Sequence, residues 1–393
     1  MYIKLAVATL ATLQLLILIG DELLRRTPYH SDVVISNKIS SGEKSSISDR
    51  EKAGLRGPVQ QCTEERITPA FENFPATSYV SINKYSPEGR ILQSATGNSV
   101  ESAQEFSTTY TYDSTGRLLK KTTTNLSSPA TESKYNYDEK GRIISITGDP
   151  LGISTFEYDD KGRKIRIMSP PSEPVIPPDT AYMLPMPEDQ DAHLPIPAGG
   201  HTKILFNEQD QPVEWQISDA NGNLVNRLIR TYDSNGQVAE IRYTMENLLF
   251  SLPAEAQQQI MAEPGAAEEL AQHLTKLLGE QRNFMRITYT YDADGRLIEK
   301  HDHTGYSMET TTKIAYNDHS DKLEEHEITT GDPNPPKDAQ SAEASSGAPP
   351  ISQKSEARYS YKYDTFGNWT EQAVSSSASP NYVTVTRRTI VYY

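Results

Sequence analysis

The sequence predicts an all-β protein, and three observations carry that expectation. A turn-forming unit recurs through most of the chain, polar residues alternate with apolar or aromatic ones just before each unit, and tyrosine is in excess, 22 Tyr against 8 Phe and 2 Trp. The expected architecture is an antiparallel β-meander repeat array of about 16–20 short strands. Such a sheet is expected to be curled or two-layered, because open twisted sheets rarely exceed about ten strands. An inserted helical hairpin and an N-terminal hydrophobic helix complete the expected fold.

The 393 residues carry 38 Lys+Arg against 53 Asp+Glu, a formal net charge of −15. That balance argues against nucleic acid as a partner, since phosphate binding needs a basic surface. The single cysteine, Cys62, excludes an intramolecular disulfide and a cysteine-based zinc knuckle. It reads as a small core residue.

Residues 1–24 read as a signal peptide or membrane anchor. Lys4 precedes an apolar run over 5–20, short of the ~20 residues that span a bilayer comfortably, and no good cleavage site follows it. Residues 25–53 are Ser/Lys/Asp-rich without periodicity and read as a flexible tether. Repeat sheet is then expected over 54–168, 201–244 and 282–330, with a terminal hairpin over 357–393. Between these segments lie a Pro-rich linker (169–200), a helical insertion (245–281) and a low-complexity loop (331–356). In the insertion Ser251 caps one helix, and Leu270, Leu274, Leu277 and Leu278 form an apolar stripe on a second.

The repeat unit is an aromatic residue, Asp or Asn, two variable residues, Gly, then Arg or a polar residue and an apolar pair. It reads YSPEGR at 85–90, YDSTGR at 112–117, YDEKGR at 137–142, YDDKGR at 158–163, YDSNGQ at 232–237, YDADGR at 291–296 and YDTFGN at 363–368. Degenerate copies begin at Phe206 and Tyr316, where Asp210 and Ser320 stand in the glycine position. The chemistry is that of a turn: the aspartate accepts backbone N–H bonds two residues on, and the glycine supplies the positive φ that closes a bulged hairpin. The structural turn residues are thus Asp113, Gly116, Asp138, Gly141, Asp159, Gly162, Asp233, Gly236, Asp292, Gly295, Asp364 and Gly367. A second class of turn is expected between units, at 149–152, 219–222 and 302–305.

Ile287, Tyr289 and Tyr291 share one face of a strand, as do Tyr359, Tyr361 and Tyr363. These stripes are expected to stack as an aromatic ladder on the inner face with hydroxyls reaching water. Tyr110, Tyr112, Tyr135, Tyr137, Tyr289, Tyr291, Tyr361 and Tyr363 form the candidate binding surface, for a glycan or a protein.

The units resemble the YD repeats of RHS and teneurin-type proteins, over roughly 80–393 and including the closing Gly367-Asn368-Trp369-Thr370 and Arg387 to Tyr393. The resemblance implies an exported β-sheet array, which in large members curls into a hollow shell around a toxin or cell-surface domain. This chain is expected to have too few repeats for a shell, and no toxin domain is expected after Tyr393. Asp149-Pro150-Leu151-Gly152 is similar to the self-cleaving core motif of large members but occupies a turn slot, and is read as a turn.

No catalytic, cofactor or metal residues are expected. His301 and His303, with His319 and His326 nearby, read as exposed: His301 ends a strand and His303 sits in a turn, so they lack convergent geometry. Asp292 and Asp294 lack the further oxygen ligands of a calcium loop. The expected function is that of a non-catalytic exported or membrane-anchored protein, facing the periplasm or exterior, that presents a repeat surface for cell-envelope binding. Its membrane contact would run through residues 5–20. The alternative is a purely structural scaffold or encapsulation remnant, and the least favoured reading is a cell-wall hydrolase.

Overall fold

The structure, a computed structural model, describes residues 47–70, 75–104, 106–125, 128–149, 152–168, 199–246, 283–304, 308–331, 351–377 and 379–393, with single positions at 196, 260, 262, 265, 266, 268 and 272. Among these residues there are twenty strands. In the first half they are β1 (Val59–Thr68), β2 (Thr77–Tyr85), β3 (Ile91–Gly97), β4 (Phe106–Tyr112), β5 (Leu118–Asn125), β6 (Ser128–Tyr137), β7 (Ile143–Asp149), β8 (Gly152–Tyr158), β9 (Lys164–Met168) and β10 (His201–Phe206). The second half holds β11 (Pro212–Ser218), β12 (Leu224–Tyr232), β13 (Val238–Met245), β14 (Asn283–Tyr291), β15 (Leu297–Thr304), β16 (Met308–Tyr316), β17 (Lys322–Gly331), β18 (Ile351–Tyr363), β19 (Trp369–Ser376) and β20 (Ser379–Tyr392).

Each strand pairs antiparallel with the next, β9 with β10 included, and β20 pairs with β1. The sheet is therefore a closed 20-stranded barrel. Closure removes the two free edges that an open meander would leave to aggregate. It corrects the expectation of too few repeats for a shell, because closing the ring depends on how far each hairpin curves and twists, which the repeat count does not reveal.

An antiparallel ring sends alternate connections to opposite rims. The nine repeat turns join β2 to β3, β4 to β5, and so on to β18 and β19, so all lie on one rim. The tenth place on that rim is where the chain enters β1 and leaves β20. The strand ends that 169–200, 246–282 and 332–350 connect lie on the other rim. At each repeat aromatic residue the register slips by one: Thr111 faces Lys120, but Tyr112 faces Leu118. Such bulges sharpen strand twist, and repeating one at every second turn favours curling.

Several expected boundaries shift. Residues 1–46, with the anchor, its hydrophobic helix and most of the tether, lie outside the described residues. The end of the tether is ordered: Asp49–Lys52 form a helical turn under a Ser48–Glu51 capping box, the pattern Ser-x-x-Glu that the loop-like composition concealed. Residues 351–356, assigned to the low-complexity loop, begin β18, where pairing with β17 overrides composition. Asp302 and His303, expected in a turn, lie within β15, opposite Ile287 and Arg286 of β14. Most of the Pro-rich linker and of the helical hairpin falls outside the described residues, although Ile260, Ala262, Ala266, Glu268 and Gln272 have helical backbone. Among the described residues no helix is long and apolar enough to cross a membrane.

Candidate functional site

The repeat turns are built alike. In each, the second residue donates its N–H to the carbonyl four residues on, and the fifth donates back to the second, as Asp113 with Arg117 and Gly116 show at 2.9 and 3.0 Å. Asp113 Oδ1 accepts from the N–H groups of Thr115 and Arg117, and Oδ2 accepts from Arg117 Nε at 2.7 Å. The same pattern serves Asp138, Asp159 and Asp292 with Arg142, Arg163 and Arg296. Asp233 and Asp364 accept the same two backbone bonds in their own turns. The Thr115 hydroxyl and these backbone donors hold the Asp113 carboxyl well below its ordinary range. The glycines do what the sequence requires, Gly116 at φ 87° and Gly295 at φ 80°, and Asp210 and Ser320 adopt φ 59° and 65° in their place.

Each unit also clasps the next. The Arg117 guanidinium lies 5.0 Å from the centre of the Tyr137 ring, Arg142 lies 4.6 Å from Tyr158, and Arg296 lies 5.1 Å from Tyr316. The ring's hydroxyl donates to a carbonyl of the preceding hairpin: Tyr112 to Ile91, Tyr137 to Leu118 and Tyr291 to Val238. These hydroxyls are thus hydrogen-bonded to the wall. At Tyr363 the pattern changes because Asp321 stands where the preceding turn would supply arginine. Its hydroxyl donates to Asp321 at 2.8 Å, and its ring stacks on His319 at 4.0 Å.

The chain ends complete the ring without a covalent turn. Arg56 N donates to Asn368 Oδ1 at 2.6 Å, Asn368 Nδ2 returns a bond to the Arg56 carbonyl, and Arg56 Nη1 reaches the Gly367 carbonyl. Arg388 pairs with Glu64 at 2.7 Å, and its guanidinium covers the indole of Trp369, 3.4 Å from the ring centre. Cys62 is buried beside this seam, and burial pushes its thiol up to about 12.

Alternation places all the repeat tyrosines on one face of the sheet, here the tyrosine face. The opposite face is charged, with Lys120, Glu132, Glu214, Arg227, Glu240 and Arg286 paired across strands. Around the ring the tyrosine face divides. Over β10–β14 it is a core of Ile204, Trp215, Ile217, Leu228, Ile241, Met285 and Ile287, with Trp215, Leu228 and Ile241 at 0% exposure. Over β2–β7 the same face leaves Tyr79 46%, Phe106 49%, Leu119 40% and Ile144 41% exposed. Over β15–β17 it turns polar: Lys300 pairs with Asp302 at 2.6 Å, and burial, then Glu325, raises the Glu327 carboxyl above its ordinary range.

The candidate tyrosines do not form one platform. Tyr289 is buried in the β10–β14 core and Tyr291 packs against it, Tyr361 stacks on Tyr363, and only Tyr110, Tyr112, Tyr135 and Tyr137 stand beside the exposed sector. Phe106, Leu119 and Ile144 escape the sequence reading. Leu119 and Ile144 are second members of the apolar pair after the turn, a position whose counterparts Ile165 and Ile298 are half-buried, so the repeat alone gives no signal for them. His301 and His303 lie within β15 and pair with Glu299 and Glu309, instead of ending the strand and entering a turn. No group of three metal-ligating side chains occurs among the described residues.

Residues 78–261 match the teneurin YD-shell family. Over those residues the chain is similar to that family, and the YD repeats are its shared feature. No curated protein matches it. Among solved structures, the YD-repeat chain is similar to one in the Photorhabdus luminescens Tc holotoxin pore, at 12% identity and a TM-score of 0.34, covering 81% of this chain and 15% of that one. A TcdB2-TccC3 structure aligns at 14% identity and a TM-score of 0.20, over 81% of this chain and 19% of its own. A porin-like protein from Bacteroides uniformis aligns at 10% identity and a TM-score of 0.30, over 86% and 98%. The chain thus spans less than a fifth of the holotoxin and TcdB2-TccC3 chains it aligns with.

Proposed function

We propose that this YD-repeat protein is a non-catalytic, exported or envelope-associated barrel whose tyrosine face lines the interior and holds an envelope protein or glycan over β2–β7. The observation that carries the reading is the split of that face. One sector is sealed as a core, while the other presents large apolar side chains to solvent, and exposed apolar patches on a concave wall mark binding surfaces. The repeat aspartates support a non-catalytic role, because their carboxylates are spent on their own turns. The apolar run over 5–20 supports export.

The test is retention of purified envelope proteins and glycans on the immobilised full chain, compared with Phe106→Ser/Leu119→Ser/Ile144→Ser. The reading predicts a specific ligand held by the wild type and held at least about tenfold more weakly by the triple variant, through lost apolar contact. Retention unaffected by the triple variant contradicts it.

A further inference from the structure

The pairing of β9 with β10 covers only His201–Met168, Thr202–Ile167 and Lys203–Arg166. Beyond Lys203 the two strands part, and each stays paired to its other neighbour, β8 or β11. They meet again at the repeat rim, where Asp210 accepts from Lys161 at 2.9 Å and from Arg163 at 2.5 Å. Between these two closures is a cavity of about 560 Å³. Its lining comes from both faces of the wall: Ile165, Ile204 and Phe206 from the tyrosine face, and Arg166, Lys203 and one carboxylate, Glu157, from the charged one.

The charges that line it are unbalanced, with Arg163, Arg166 and Lys203 against Glu157. Arg166 and Lys203 stand directly opposite each other, an arrangement that destabilises a strand pair unless an anion intervenes. Glu157 reaches Arg166 only at 3.8 Å, and the buried Arg166 Nε has no hydrogen-bond partner among the described residues. Lys203 is exposed and has no ion-pair partner among them. In a chain of net charge −15, Lys203 without an ion-pair partner and Arg166 held only by the long contact to Glu157 leave a local excess of positive charge at this cavity.

We propose that this wall cavity binds a small organic anion, a phosphate or carboxylate on an apolar body, with the oxyanion between Arg166 and Lys203 and the body against Ile165, Ile204 and Phe206. The volume lies in the range of small-ligand sites, roughly 300–1,000 Å³, and charge-assisted bonds to arginine and lysine supply the orientation. The site is independent of the surface over β2–β7.

Calorimetric titration of the full chain with phenyl phosphate and with benzoate tests the proposal. At least one probe should bind, and Arg166→Gln/Lys203→Gln should weaken it at least tenfold. The ligand-free double variant should melt no lower than the wild type, since the substitutions remove a repulsion. Lys120→Gln, on the same face but elsewhere in the ring, should leave binding unchanged. Inorganic phosphate should bind at least tenfold more weakly than phenyl phosphate. Failure of both probes to bind at millimolar concentration, or equal binding by the wild type and the double variant, overturns the proposal.

Discussion

Strands β10–β14 and β2–β7 are built from the same repeat, yet one sector is a core and the other is open. The turns do not explain the difference, since Asp113 and Asp233 hold their backbones in the same way. The side chains do. On the tyrosine face β11 and β12 carry Trp215, Ile217 and Leu228, whereas β4 and β5 carry Thr108, Tyr110, Lys121 and Thr123 in the equivalent places. The repeat thus specifies the wall, and the residues between turns decide whether a sector is sealed. This separation lets one architecture combine a sealed region with an open one.

The largest test of that contrast is truncation. Trp215→Ala should cost about 3–5 kcal/mol, and Ile241→Ala about 2–5, as core cavities do. Leu119→Ala and Ile144→Ala should stay within about 0.5 kcal/mol, the usual range for exposed sites. Denaturant midpoints of the four variants measure this, and similar losses in both sectors would erase the distinction.

A smaller effect separates turns that clasp a neighbour from one that does not. Gly116 and Gly222 both have positive φ, but a Cβ at Gly116 would run into the Arg90 guanidinium, while nothing lies within 4 Å of one at Gly222. Gly222→Ala should cost roughly 1–2 kcal/mol for the left-handed backbone. Gly116→Ala should cost that and about 0.5–1 kcal/mol more, because Arg90 loses its seat near Tyr112. Equal melting of the two would show that the clasp contributes nothing.

The smallest effect is the acid limb. Asp113 and Asp138 are held below their ordinary values, Asp113 chiefly by the Thr115 hydroxyl and Asp138 by the Arg142 N–H. A depressed folded value stabilises the protein above the unfolded value near 3.9, and that stability is lost as pH falls through the folded one. Stability from these groups should hold from neutral pH to about 4 and fall below it. Asp113→Asn should make that fall shallower in acid melting curves.

The turns, their positive φ at Asp210 and Ser320, and the single tyrosine face are legible because each rests on local backbone chemistry repeated at fixed spacing. The closure is not. It depends on Arg56 meeting Asn368 and on Arg388 meeting Glu64, contacts more than 300 residues apart in sequence. The open sector is half legible: Tyr110 and Tyr135 are named by their stripes, but Leu119 and Ile144 occupy a position after the bulge whose counterparts Ile165 and Ile298 are half-buried, so the repeat alone does not mark them as exposed. His301 and His303 are misplaced by composition, because Asp302-His-Thr-Gly305 has the residues of a turn, and pairing with both β14 and β16 outweighs them.

Thiol accessibility tests the division of the tyrosine face most directly. In a Cys62→Ala background, Phe106→Cys and Thr202→Cys place one thiol in each sector, the second where the native side chain is 1% exposed. Maleimide should label Phe106→Cys at close to the rate of a free thiol and Thr202→Cys at least about 100-fold more slowly, limited by opening of the core. Equal labelling rates at the two positions would contradict the account.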